Sequence, residues 1–70
     1  MSDLTTLAEA LPLEMARVRK VLGIYNSLGD VGRFGAQLIE LDLQAADAAV
    51  MSGDVVHMLQ AYKTLKEIEA

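Results

Sequence analysis

The sequence predicts an all-α fold: two to three helices forming a helical hairpin, assembled as a homodimeric bundle. Three observations point that way. Apolar residues recur at spacings of three and four, glycine-centred breaks cut the chain into helix-length pieces, and no stretch alternates with period two long enough for a strand. Residues 1–70 leave room for a single helical domain.

In the first half, Leu4, Leu7, Leu11, Met15, Val18, Leu22 and Tyr25 are spaced 3, 4, 4, 3, 4 and 3, one face of a helix. Pro12 interrupts the pattern, because it cannot donate to the preceding turn and its ring clashes with it. The expected layout is a short turn over about residues 3–10, then a strong helix over about 12–28 with Pro12 in its first turn. One helix kinked at Pro12 is the competing layout. Glu14, near the start of the strong helix, suits the macrodipole and can reach Arg17.

Next comes "SLGDVGRFGAQ", with Gly29, Gly32 and Gly35 at every third residue. A dinucleotide fingerprint needs glycines at positions one, three and six after a strand, and a Walker loop ends in Gly-Lys-Ser/Thr. Neither the spacing, nor the ending Gly-Ala-Gln, nor the preceding helix fits. Gly29 reads as a left-handed helix C-cap, and Gly32 and Gly35 as positions where the chain reverses tightly. The corner is therefore a helical connector, and its Arg33 and Phe34 are candidates to face a partner.

The segment "FGAQLIELDLQAADAAVM" predicts a helix over about residues 35–52. Gln37, Glu40, Gln44 and Asp47, spaced 3, 4 and 3, form one narrow polar stripe, and nearly everything else except Asp42 is apolar. Such a helix sits in the middle of something, touching both neighbours and a second subunit. In "SGD", Gly53 stops this helix and Asp54 caps the next, expected over about 54–69. There Val55, Met58, Leu59, Tyr62, Leu65 and Ile68 share one side, and Lys63 and Glu67 form an i,i+4 pair.

Composition supports assembly. A chain of this size buries roughly 60% of the surface its unfolded form exposes, yet 53% of the residues are apolar. Apolar surface beyond what one small core can hide is usually buried against another subunit, here a second copy. There is no cysteine for disulfides or thiolate–zinc sites, and no cofactor or metal is implied. The net charge of −4 falls entirely in residues 36–70, which argues against direct nucleic-acid binding. The start "MSDLTTLAEA" has no secretory pattern, and no apolar run approaches the roughly 20 residues that span a bilayer. No membrane association is expected, and the location implied is the cytoplasm.

Residues of chemical interest read mostly as structural. Ser52, Asp54 and His57 contain hydrolase-triad residue types, but all three cluster at one helix start, where Ser and Asp are ordinary caps. Glu40, Asp47 and Asp54 recur every seven residues, roughly 10 Å apart along a helix, too far for paired acid–base work. They read as a solvated face or, more sharply, as an acidic ridge that docks on a basic surface, with Asp54 taken out of the row if it caps. Met15, Met51 and Met58 read as core filler or as an adaptable binding surface. Arg17, Arg19 and Lys20 support solubility or pair with carboxylates of a neighbouring helix. No arrangement supplies catalysis, so the expectation is a protein that is not an enzyme.

The segment "GRFGAQLIELDLQAADAAVMSGDVVHMLQAYKTLKEIE", above all "SGDVVHMLQAYKTLK", resembles the ending of small proteins encoded early in transposable, Mu-like phages and prophages. In size it is similar to the phage-encoded quorum-sensing anti-activator family. The resemblance covers about residues 11–68 and carries over no functional residue. It implies a small helical homodimer, in the cytoplasm of a bacterial host, that binds a LuxR-type transcriptional activator and blocks its DNA binding. It also implies inhibition of the pilus assembly ATPase. Contact residues are expected at Arg33, Phe34, Glu40, Asp47 and Tyr62. The rival expectation is a structural or assembly module of a phage, a helical dimer with no inhibitory target.

Overall fold

The computed structural model describes residues 3–69. Three helices run up, down and up: α1 Asp3–Ser27, α2 Arg33–Ser52 and α3 Val55–Lys66, with a 3-10 turn over Gly29–Gly32 joining the first two. Each helix packs against both others in an elongated bundle of 43 × 19 × 15 Å. Among the described residues there is no strand, and no helix is long and apolar enough to cross a membrane.

One core joins the three helices. Leu7, Leu11, Met15 and Val18 come from α1; Ile39, Leu43, Ala46 and Ala49 from α2; Met58, Ala61 and Leu65 from α3. Among the residues with described side chains, none that is polar or charged is buried. Leu4, assigned by its spacing to the same α1 face, lies outside the residues whose side chains are described.

α1 differs from the expected turn-then-helix layout. It is continuous from Asp3 to Ser27, with Pro12 inside it. The reason lies in packing. Leu7 and Leu11, on the N-terminal side of the proline, enter the same core as Met15 and Val18, and Leu11 is 0% exposed. That burial holds the first turns in line with the rest. Pro12 and Ala8 lie on the exposed side, where water can satisfy the carbonyl that proline leaves unpaired. A second shift concerns depth: Val21 is buried while Leu22 is only half-buried.

The glycine corner is built around Tyr25. Gly29 adopts the left-handed conformation, φ 67°, and terminates α1 as its position suggested. A Cβ on Gly32 would collide with the Tyr25 carbonyl, and one on Gly35 would lie 2.5 Å from the Tyr25 ring. The two glycines therefore let α2 lie close against the end of α1. The 3-10 turn feeds straight into α2, so that helix begins at Arg33, two residues before its expected start.

The second connection is tighter still. Gly53, φ 70°, donates its N–H to Ala49 and Val50 carbonyls at 3.1 and 3.2 Å. The Asp54 carboxylate accepts from the N–H groups of Val56 and His57 at 2.9 and 3.3 Å, capping α3.

α3 stops at Lys66, three residues short of its expected end. Arg17 accounts for this: its Nη2 and Nη1 donate to the Leu65 and Ile68 carbonyls, both at 2.8 Å. Glu67 thus falls beyond the helix, and the Lys63–Glu67 pair does not form. Lys66 instead places its Nζ 5.4 Å from the centre of the Tyr62 ring. On the buried side, Ala61 takes a core place, while Val55 and Leu59 are exposed.

Candidate interaction surface

α2 is apolar on two largely opposite faces. Ala36, Ile39, Leu43, Ala46 and Ala49 point into the core. On the outside, Val31, Phe34, Leu38, Leu41, Ala45 and Ala48 are all exposed. Their spacing is 3, 4, 3, 4 and 3, and it runs unbroken across the glycine corner. This is the repeat of a two-stranded coiled-coil seam. Val31 is 88% exposed, Phe34 73% and Leu41 61%.

Burying a fully exposed valine, leucine or phenylalanine is worth about 1.5–3 kcal/mol. Scattered exposed apolar side chains are ordinary, and Leu13, Met51 and Val56 are exposed elsewhere; a row of them at helical spacing is a candidate interaction surface. The periodicity is present in the sequence, but Val31 and Phe34 fall in the corner, where the glycines interrupt the helical phase that would join them to Leu38.

The polar stripe Gln37, Glu40, Gln44 and Asp47 is exposed along the α1 side of α2. Arg33, Gln37 and Glu40 line a shallow cleft with Asn26 and Asp30. Arg33 Nη2 donates to Asp30 Oδ1 at 2.8 Å, which turns the guanidinium back toward the corner. Further along, Asp47 lies 3.7 Å from Arg19 Nη2, the cross-helix pairing that the basic cluster of α1 allowed. The acidic row is thereby thinned. Asp54 is committed to its cap and Asp47 faces a cation, which leaves Glu40 as the carboxylate of the row with neither role.

The five expected contact residues do not form one patch. Arg33, Phe34, Glu40 and Asp47 share α2, Phe34 on the seam and the other three on its flank. Tyr62 is on α3, half-buried against the core.

Ser52, Asp54 and His57 are arranged as a helix start. Ser52 Oγ donates to the Ala49 carbonyl at 2.9 Å and accepts from the Asp54 N–H at 3.1 Å. His57 Nδ1 lies 3.6 Å from Asp54 Oδ2, beyond hydrogen-bonding distance. The serine hydroxyl is thus directed at the backbone and makes no hydrogen bond to the imidazole. Ser52 and His57 help line a groove of about 480 Å³ between α2 and α3, together with Ala45, Ala48, Ala49 and Ala61. Among the described residues, no group of three His, Cys, Asp or Glu could hold a metal ion.

Compared with protein-family models, curated proteins and solved structures, the chain matches none.

Proposed function

We propose that this protein acts by binding other proteins, as a homodimer and without catalysis. In the reading favoured here it is a phage-encoded inhibitor of a bacterial host regulator, an anti-activator that blocks DNA binding by a LuxR-type quorum-sensing activator. The single observation that carries the binding role is the unbroken exposed seam from Val31 to Ala48. A small domain that leaves Val31, Phe34, Leu38 and Leu41 exposed at helical spacing along one face is built to be covered there. The particular target rests on the resemblance of residues 11–68 to the anti-activator family, which also brings in the pilus assembly ATPase as a second target. The acidic balance of residues 36–70 supports a basic partner surface, such as the DNA-contacting face of an activator.

The test is a gel shift. A LuxR-type activator is bound to its operator and the purified protein is titrated in. Release of the DNA, with formation of a protein–protein complex on a sizing column, supports the reading. An unchanged shift at saturating protein removes it. The rival, an assembly module with no inhibitory target, draws on the same seam. Expression in a quorum-sensing host separates the two: loss of pigment or protease output fits the inhibitor, and normal output fits the module.

A further inference from the structure

We infer that the α2 seam pairs with the same seam of a second copy, antiparallel, in a register that sets Phe34, Leu38 and Leu41 on small residues. The inference rests on the homodimeric reading above and specifies its interface.

The seam is graded along its length. Its N-terminal half is large, Val31, Phe34, Leu38 and Leu41; its C-terminal half is small, Ala45, Ala48 and Ser52. A two-fold axis at the level of Leu43 reverses one copy on the other. It places Phe34 against the second copy's Ser52, Leu38 against its Ala48, and Leu41 against its Ala45. Each knob within α2 then has a recess, while Val31, ahead of the helix, comes level with the second copy's Val55, and the axes can approach to the lower end of the usual 8–10 Å along α2. Parallel pairing would set Phe34 on Phe34 and Ala48 on Ala48, splaying one end and leaving a void at the other.

Charge follows the same orientation. α2 carries Arg33 in its first turn, the unfavourable sign for a helix N-terminus, and has no basic residue in its last turn. Reversal brings Arg33 level with the second copy's Gly53 and Asp54, where a cation meets helix-end carbonyls and a carboxylate. The flanking Gln37 and Gln44 are uncharged; Glu40 comes one residue off level with the second copy's Asp47, a like-charge approach eased by Arg19, which faces Asp47.

The area suffices. From Phe34 to Ser52 the seam is about 27 Å long. With large side chains of roughly 150–200 Å², Val31, Phe34, Leu38 and Leu41 alone expose on the order of 450 Å² per copy. Adding the alanines, Ser52 and the glutamines, the pair buries roughly 1,200–1,400 Å², the lower end of interfaces that hold a specific dimer. Self-pairing occupies Phe34 and Arg33 and leaves Glu40 and Asp47 on the flank for a host protein.

Because the chain has no cysteine, cross-linking tests the register directly. In L38C/A48C, the two positions are about 15 Å apart along one helix and cannot bridge within a chain, but each faces the other's counterpart across the proposed interface. Under mild oxidation this variant should run as a covalent dimer on a non-reducing gel, while L38C alone should stay monomeric. Linking by L38C alone, or no linking by L38C/A48C in a sample whose mass is dimeric, overturns the register and leaves the homodimeric reading standing. A monomer mass for the unmodified protein at about 100 µM, well above a micromolar Kd, overturns both. As a second readout, A48R should lower the mass to that of one chain with an unchanged helical circular-dichroism spectrum; a dimeric A48R contradicts the seam.

Discussion

Arg17 Nη2 donates to the carbonyl oxygen of Leu65 at 2.8 Å, tying the middle of the first helix to the end of the last. The same guanidinium reaches the Ile68 carbonyl through Nη1 and is steadied by Glu14, whose Oε1 accepts from Nε at 2.6 Å. Hydrogen bonding to Glu14 raises the Arg17 pKa above its ordinary value, so the cation persists at any working pH. Carbonyls at a helix C-terminus have no partner within the helix, and a fixed cation supplies one. Arg17→Ala is therefore expected to lower the urea midpoint and to speed amide exchange around residues 65–69. Arg17→Lys, which lacks the planar fork, should recover only part. Unchanged exchange at the C-terminus in Arg17→Ala would show that the contact holds nothing.

Pro12 distinguishes a continuous α1 from a helix that restarts. Proline inside a helix costs about 3 kcal/mol relative to alanine, whereas at the first helical position it is tolerated. With Leu7 and Leu11 in the core, Pro12→Ala should stabilise the protein, by about 1–3 kcal/mol in urea denaturation. A neutral or destabilising outcome would mean that the helix restarts at residue 12.

Gly35 and Tyr25 are coupled. A Cβ on Gly35 falls 2.5 Å from the Tyr25 ring, so Gly35→Ala should destabilise by about 1–3 kcal/mol. Combined with Tyr25→Ala, which removes the ring, the cost should fall well short of the sum of the two single changes. Simple additivity in this double-mutant cycle would contradict the close approach.

The framework of three helices could be read from the sequence because its signals are local. Leu7, Leu11, Met15 and Val18 repeat at helical spacing, and Gly53–Asp54 combines a left-handed stop with a cap. What escaped reading depends on contacts distant in sequence. Nothing near Pro12 says that Leu7 and Leu11 are drawn into a core shared with α2 and α3. The same holds for Val21 over Leu22 and Ala61 over Leu59, where neighbouring helices choose between adjacent apolar positions. Arg17 looked like a partner for carboxylates, which Glu14 satisfies, but its carbonyl partners are 48 and 51 residues away. Of the site, the apolar excess of α2 was legible; the line joining Val31 and Phe34 to Leu38 was not, because glycines mask helical phase at the corner.

Asp54 carries the start of α3. Asp54→Ala removes the acceptor for two backbone N–H groups and should cost about 1 kcal/mol, while Asp54→Asn should retain most of the stability. Equal losses in the two variants would assign the effect to charge and not to capping.

The central claim is that the outer face of α2 is covered by a second copy. Sedimentation equilibrium of the unmodified protein beside Leu41→Glu tests it most directly, since Leu41 is 61% exposed and its loss leaves the core intact. The expected result is about twice the 7.6 kDa chain mass for the unmodified protein and the single-chain mass for Leu41→Glu, with the same helical spectrum. A single-chain mass for both, or a dimer for both, would contradict it.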